Sequence, residues 1–365
     1  MILSVVGARP NFVKMAPVVR EISRRKLPHM LVHTGQHYSP EMSDVFFRDL
    51  DLQKPDMNLG AGSGSHASQT AEIMKAFEPV CAQAEPRIVI VAGDVNSTAA
   101  CAWTAAKMQV PVAHIESGLR SFDRAMPEEI NRVITDHLSS LLFATEPSAR
   151  KNLLREGVDA AKIFDSGNTM IDSLIRGLEK ALTRRAWERY GFREKSYALL
   201  TLHRPENVDR PSTLLELNRA VCQIASRIPV VFPIHPRTLQ RIEVLGAEWS
   251  GVTLTEPLGY LDFLSLTAGS AFVMTDSGGL QEETSALAVP CITLRKNTER
   301  PVTLTQGTNR LCAVHEKKII EQAFRILEEP RPVPTAIPLW DGGAAERIVS
   351  ILEKFLAEGD SFGRA

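Results

Sequence analysis

Short, almost unbroken apolar runs alternate with helix-compatible stretches along this chain, and the alternation starts again near its middle. Residues 2–6 form the first run and end at Gly7. Phe12, Met15, Val19 and Ile22 then recur at helical spacing. Further runs at 30–34, 87–92, 110–115 and 141–144 predict strands. The segments 11–25, 42–50, 67–82, 97–107 and 129–140 predict helices. The second series has strands at 197–202, 230–234, 272–275 and 291–294, with helices over 214–227, 260–268 and 281–287. A strand that is apolar on both faces is buried on both faces, and parallel sheets covered by helices are where such strands occur. The pattern therefore predicts an α/β chain of two Rossmann-like, doubly wound parallel-sheet domains, with a cleft between the carboxyl ends of their strands. The expected domains are 1–170 and 171–343. The charged stretch 177–195 serves as a helical connection and hinge. The last helix, within 344–365, has no following strand and is expected to pack back on the first domain.

Composition narrows the function. The chain has 365 residues, 44% hydrophobic and 23% charged, and its net charge of −1 gives no reason to expect nucleic acid. No apolar run is long enough to cross a bilayer, and the N-terminus lacks the basic start and long apolar core of a signal peptide. The expected setting is the cytoplasm, without a membrane partner. Five scattered cysteines read as reduced core thiols. No Gly-x-Gly-x-x-Gly follows the first strand, so a dinucleotide redox cofactor is not expected. No Walker-type Gly-Lys-Ser/Thr, Gly-x-Ser-x-Gly elbow or zinc-type pair occurs, and His33 and His37 flank Gly35, which breaks a helical reading. Neither a metal nor a cofactor is expected.

The polar residues that stand out lie at predicted strand ends. Asp276-Ser277-Gly278-Gly279 joins a buried strand to a helix, where free backbone amides and the positive helix end suit a phosphate. The same segment also reads as a tight turn with an N-cap serine. Glu283, further into that helix, suits ribose hydroxyls. Arg9 and Lys14, after the first strand, suit phosphate charge or are simply solvated bases. Asp94 and Glu116 follow consecutive strands, Glu128 opens a helix, and His203 begins the loop after the first strand of the second half. Three clustered carboxylates repel one another, so one of them is expected to hold its proton more tightly.

Eight motifs occur in order: Gly7-Ala8-Arg9-Pro10, Thr34-Gly35-Gln36-His37, Gly93-Asp94, His114-Ile115-Glu116-Ser117-Gly118-Leu119-Arg120, Met126-Pro127-Glu128-Glu129-Ile130-Asn131-Arg132, Leu202-His203-Arg204, Asp276-Ser277-Gly278-Gly279 and Thr298-Glu299-Arg300-Pro301. Together they resemble the non-hydrolysing UDP-N-acetylglucosamine 2-epimerases, from about residue 1 to about residue 311. The resemblance implies two domains in the glycosyltransferase type B arrangement and a homodimer. It also implies the cofactor-free interconversion of UDP-N-acetylglucosamine and UDP-N-acetylmannosamine, by elimination of UDP and its re-addition to 2-acetamidoglucal. Such a step belongs to polysaccharide biosynthesis.

By position, Asp94, Glu116 and Glu128 match that family's catalytic carboxylates and His203 its catalytic histidine. Arg9 matches the diphosphate arginine and Lys14 its neighbouring base or cation. Ser277, Gly278 and Gly279 match the phosphate loop, Glu283 the ribose contact and Arg300 a further phosphate-side cation. Gln36, Arg204 and His235 match an activator site for a second nucleotide sugar, although the loop 60–68 lacks the arginine-containing segment expected with it. The first loop reads Arg9-Pro10-Asn11-Phe12 where many relatives read Arg-Pro-Glu-Ala. Relatives acting on UDP-2,3-diacetamido-glucuronate carry a similar polar-then-Phe pair, which makes that sugar the alternative substrate. A type B glycosyltransferase and a UDP-sugar-binding regulator are the alternatives in other classes.

Overall fold

The computed structural model describes residues 1–36, 40–330 and 336–358, apart from the side chains of residues 9, 40–44 and 237. His37 lies outside the described residues, and the side chain of Arg9 is likewise not described. The chain divides into two units, Met1–Arg176 with the residues from Pro338 onward, and Gly177–Ile337. The division falls inside the helix Thr169–Arg184, a few residues beyond the expected break at 170.

The first unit holds a parallel sheet of seven strands: β1 (Ile2–Val6), β2 (His29–His33), β3 (Met57–Asn58), β4 (Ile88–Ala92), β5 (Val112–Ser117), β6 (Leu141–Ala144) and β7 (Ile163–Asp165). Their spatial order is β3-β2-β1-β4-β5-β6-β7. The second unit holds six parallel strands: β8 (Ala198–Thr201), β9 (Val230–Pro233), β10 (Val252–Thr255), β11 (Phe272–Thr275), β12 (Cys291–Thr293) and β13 (Asn309–Leu311). Their order is β10-β9-β8-β11-β12-β13. Each unit is thus a doubly wound α/β sheet in its own right, as the alternation predicts. In each, the order reverses between two central strands, β1 beside β4 and β8 beside β11. In open parallel sheets ligands bind beyond the carboxyl ends of the strands at such a reversal.

The central strands β1, β4, β5 and β6 are buried along their full length, as their mainly apolar runs predict. Helices cover both faces. Phe12, Met15, Val18 and Ile22 of the helix Arg9–Arg24 are buried, as are Ile73 and Phe77 of His66–Ala84. The last helix, Ala344–Glu358, packs on Arg9–Arg24, where Glu353 pairs with Arg25. Its first turn is capped by Asp172, whose carboxylate accepts from the amides of Ala344 at 3.2 Å and Ala345 at 2.7 Å. That cap satisfies helix-end donors that would otherwise be buried without partners. The five cysteines are unpaired, and all but Cys222 are buried. Among the described residues no helix is long and apolar enough to cross a membrane.

Candidate active site

In the first unit two of the predicted carboxylates, Asp94 and Glu116, lie at the ends of β4 and β5. Asn11 first ties the loops on either side of the strand reversal. Its side-chain oxygen accepts from the amides of Gly7 at 3.3 Å and Ala8 at 3.1 Å, and its Nδ2 donates to the Ala92 carbonyl at 2.7 Å. Phe12 stacks on His33 with centroids 5.4 Å apart. The Asn11-Phe12 pair that departs from the usual family loop is therefore part of the scaffold here.

Glu116 sits where β5 slips its register against β6, between Ile115 and Ser117, and its backbone is left-handed at φ +68°. A residue with a Cβ pays about 1–2 kcal/mol for that conformation. The bulge turns a buried carboxylate onto the Nζ of Lys14, which is itself buried on the helix Arg9–Arg24. Lys14, expected beside a phosphate, is thus the ion-pair partner of Glu116. Gly93 makes room for the pair: it has φ +67°, and a Cβ there would lie 2.8 Å from Lys14 Nζ and 3.5 Å from Glu116 Oε2.

Asp94 follows Gly93 and pairs with Arg132 on the helix Pro127–Leu138, while Asn131 of that helix donates to the Asp94 carbonyl at 2.9 Å. Glu128 is half-buried in the first turn of the same helix, four residues before Arg132 and hence on the same face. Its neighbour Glu129 does structural duty. It accepts from the amides of Ser121 and Phe122, each at 2.9 Å, and pairs with Arg132 at 2.8 Å. Burial raises the proton affinity of Glu129, but the Ser121 amide and Arg132 outweigh it and leave the carboxyl below its ordinary range. The repulsion expected among three carboxylates is met by cations, Lys14 at Glu116 and Arg132 at Asp94.

A buried histidine fixes this arrangement. The ring of His114 on β5 bonds through Nδ1 to Asp136 at 2.6 Å and through Nε2 to the Gly93 carbonyl at 2.8 Å. Asp136 also accepts from the Gly118 amide at 3.0 Å and pairs with Arg120 at 2.7 Å. Burial pushes Asp136 upward, and His114 and Arg120 more than offset it. The strand bearing Glu116, the loop bearing Asp94 and the helix bearing Glu128 are thereby held in one register.

In the second unit the predicted residues meet at the ends of β8 and β11. His203 Nδ1 lies 2.7 Å from Asp276 Oδ1. Ser277 caps the helix Gly278–Ala286 through its backbone, and its hydroxyl is not used as a cap. Gly278 and Gly279 form the first turn of that helix and are half-buried, so their amides point from a positive helix end. Arg300 lies over this turn: a Cβ on Gly278 would be 2.5 Å from its Nη1. It pairs with Glu282 at 3.0 Å and Glu299 at 3.3 Å, and Arg295 pairs with Glu299 at 2.6 Å. Glu283 is buried beside Glu282, and burial first, then that like charge, pushes its carboxyl up to about 8. A carboxyl that keeps its proton both donates and accepts hydrogen bonds, which suits vicinal hydroxyls.

Of the residues matched to a second nucleotide-sugar site, Gln36 is buried and its side-chain oxygen accepts from Ser97 N at 3.1 Å and Ser97 Oγ at 2.6 Å. Arg204 donates through Nε to the Asp276 carbonyl at 2.9 Å, and His235 is exposed after β9. Among the described residues no group of three or more His, Cys, Asp or Glu is placed to hold a metal ion. The sequence reading quotes Asn11, His114, Arg132 and Asp276 within motifs but gives them no role, and it does not foresee the His114–Asp136 pair. The spacing of four from Glu128 is the local signal for Arg132.

Comparison with known proteins gives one family. Residues 20–353 match the family model for UDP-N-acetylglucosamine 2-epimerase. The chain is 42% identical over 358 residues to a UDP-N-acetylglucosamine 2-epimerase of Methanocaldococcus jannaschii, covering 95% of this chain and 97% of that one. It is 40% identical over 359 residues to a UDP-2,3-diacetamido-2,3-dideoxy-D-glucuronate 2-epimerase of Pseudomonas aeruginosa, covering 97% and 99%. The crystal structure of the M. jannaschii UDP-GlcNAc 2-epimerase in complex with UDP-GlcNAc and UDP superposes with a TM-score of 0.92 at 41% identity, over 97% of this chain and 100% of that one.

The raised Glu283 carboxyl has a consequence for stability. The folded chain holds a proton there up to about pH 8, whereas an exposed glutamate releases it near 4.5. The contribution is therefore complete in acid and is lost as pH rises through that window. Glu283→Gln removes the dependence, so its melting temperature is expected to gain on the wild type between about pH 5 and pH 9. A constant difference across that range would show Glu283 to be ionised throughout.

Proposed function

This chain belongs to the UDP-N-acetylglucosamine 2-epimerase family, and we propose that it interconverts UDP-N-acetylglucosamine and UDP-N-acetylmannosamine without an external redox cofactor. The hydrogen on C2 of the sugar is only weakly acidic. Elimination avoids a free carbanion: a base takes the C2 proton, the C1–O bond breaks, and its electron pair leaves on the β-phosphate of UDP. The intermediate is 2-acetamidoglucal. UDP oxygen then re-forms the bond to C1, and C2 receives a proton on the opposite face. Two faces require separate acid and base groups, and the first unit supplies Asp94, Glu116 and Glu128. The observation that carries this reading is Glu116, held in a left-handed bulge against buried Lys14.

The departing diphosphate requires fixed positive dipoles and charge. In the proposed scheme the amides of Ser277, Gly278 and Gly279 receive it, Arg300 adds charge, His203 contacts the phosphates and Glu283 the ribose. Arg9 is assigned to the diphosphate on the resemblance, and Gln36, Arg204 and His235 to a second nucleotide sugar on the same ground. The resemblance also supports a homodimer, and the unpaired cysteines support a cytoplasmic setting. Light scattering that finds a single chain mass at working concentration would remove the dimer.

The alternative sugar, UDP-2,3-diacetamido-glucuronate, is favoured by the Asn11-Phe12 loop and by the P. aeruginosa relative. Proton NMR in deuterated buffer with each nucleotide sugar decides between them. Epimerisation of UDP-N-acetylglucosamine is expected to place deuterium on C2, whereas transfer to an acceptor leaves C2 untouched. Asp94→Asn, Glu116→Gln and Glu128→Gln should each lower kcat by about 100-fold or more while UDP still binds. Normal rates in all three would end the acid/base assignment.

Gly278→Ala tests the phosphate loop separately. The added methyl displaces Arg300 from the helix end, and UDP affinity by calorimetry should fall by about tenfold, near the 1.4 kcal/mol that such a factor represents. Undiminished affinity would show that UDP does not use this turn.

A further inference from the structure

Asp276 is buried at the end of β11, yet four donors converge on its carboxylate from the loop and short helix (Pro205–Val208) after β8. His203 Nδ1 lies at 2.7 Å, the His203 amide at 3.1 Å from both oxygens, the Arg204 amide at 3.0 Å and Asn207 Nδ2 at 3.0 Å. β8 and β11 are neighbours where the order of the second sheet reverses, so the contact spans the strand tips at which the phosphate turn begins. The His203 side chain is 55% exposed although its Nδ1 edge rests on a fully buried group. One ring nitrogen is thus anchored while more than half of the side chain stays exposed.

We propose that Asp276 is a positioning residue for the epimerisation: it holds the proton of His203 on Nδ1, so that Nε2 is the atom presented to the diphosphate of UDP. This rests on the reading of His203 as a phosphate contact. A carboxylate only accepts hydrogen bonds, so the facing ring nitrogen must carry hydrogen. A second proton taken up at Nε2 gives an imidazolium whose charge Asp276 balances. When the C1–O bond breaks, the electron pair leaves on the β-phosphate oxygen, and the Nε2 hydrogen bonds to the charge that gathers there. The bond re-forms on re-addition without net transfer of that proton. Asp276 is suited to balance this charge: burial alone would raise its carboxyl, but His203, the Arg204 amide and Asn207 hold it down to about 2. Beside this contact Arg204 is turned to the Asp276 carbonyl and lies 3.7 Å from Glu299.

The test is Asp276→Asn in the full-length chain. An asparagine keeps an oxygen for the Arg204 amide and Asn207 but offers an N–H to His203 Nδ1, which drives the neutral ring to the Nε2–H form. Long-range nitrogen NMR of the wild type should show Nδ1 protonated in the neutral ring, and the variant Nε2. The kcat for UDP-N-acetylglucosamine should fall by about 100-fold, with the UDP dissociation constant changed by less than about threefold. An Nε2–H ring in the wild type would overturn the proposal even if the variant did not fold. A variant with near-normal kcat would overturn it too. A wild type that does not epimerise would instead remove the proposed function, which separates the two failures.

Discussion

An ionised group taken out of water must find an opposite charge or a set of donors, or it gives up its charge. That constraint orders both units of this chain. Glu116 has Lys14, Asp94 has Arg132, Asp136 has His114 and Arg120, and Asp276 has His203 with three further donors. Removing one member of a buried pair typically costs about 3–5 kcal/mol, because the survivor is stranded. Glu283 follows the other course. Its close neighbour is a second carboxylate, and it keeps its proton to about pH 8. Environment thus holds Asp136 and Asp276 charged and Glu283 neutral, which is how one fold supplies groups of different acidity.

Sheet topology decides where the sorted groups can meet. The reversal of strand order at β1/β4 leaves two loops free to diverge, and Asn11 links them through the Ala92 carbonyl. His114 adds the next strand and its covering helix by bonding Gly93 and Asp136 together. In the second unit the β8/β11 reversal brings His203 onto Asp276 and places the glycine turn beside them. Packed strands and helices have little freedom to shift, so these links hold their side chains more narrowly than loops alone would.

The sequence shows the centre of each sheet clearly and its margins poorly. The buried strands read as apolar runs, and their predicted positions agree with the structure within a few residues. The four strands that escaped the reading are β3, β7, β10 and β13, the two edges of each sheet. They have two to four residues, and each has exposed or half-buried positions, so no apolar run marks them. The site divides in a similar way. Residues at strand ends, such as Asp94, Glu116 and His203, stand out because a polar group follows an apolar run. Their pairings do not, since Lys14 meets Glu116 and His203 meets Asp276 only through the fold. The left-handed backbone of Glu116 was invisible for a further reason: the residue type gives no sign of a conformation that glycine usually adopts.

A protein that only held a UDP-sugar would need little beyond the second unit's features: a helix end with free amides, an arginine over it and a carboxyl for hydroxyls. A transferase of similar fold would add a means of drawing out the leaving diphosphate, but the C2–H bond would never break. Neither function accounts for the first unit. Holding Glu116 in a left-handed bulge costs about 1–2 kcal/mol, and such strain persists where the surroundings over-determine it. Here those surroundings are specific: a buried lysine, a glycine without a Cβ in its path, and a histidine locking the adjacent strand to the loop of Asp94. Ground-state binding of a neutral sugar ring does not call for charged groups fixed in this way. Proton traffic at carbon does, because the group must meet a weakly acidic C–H at one position on one face. On the proposed reading, the strained carboxylate answers a need that epimerisation has and that binding and transfer lack.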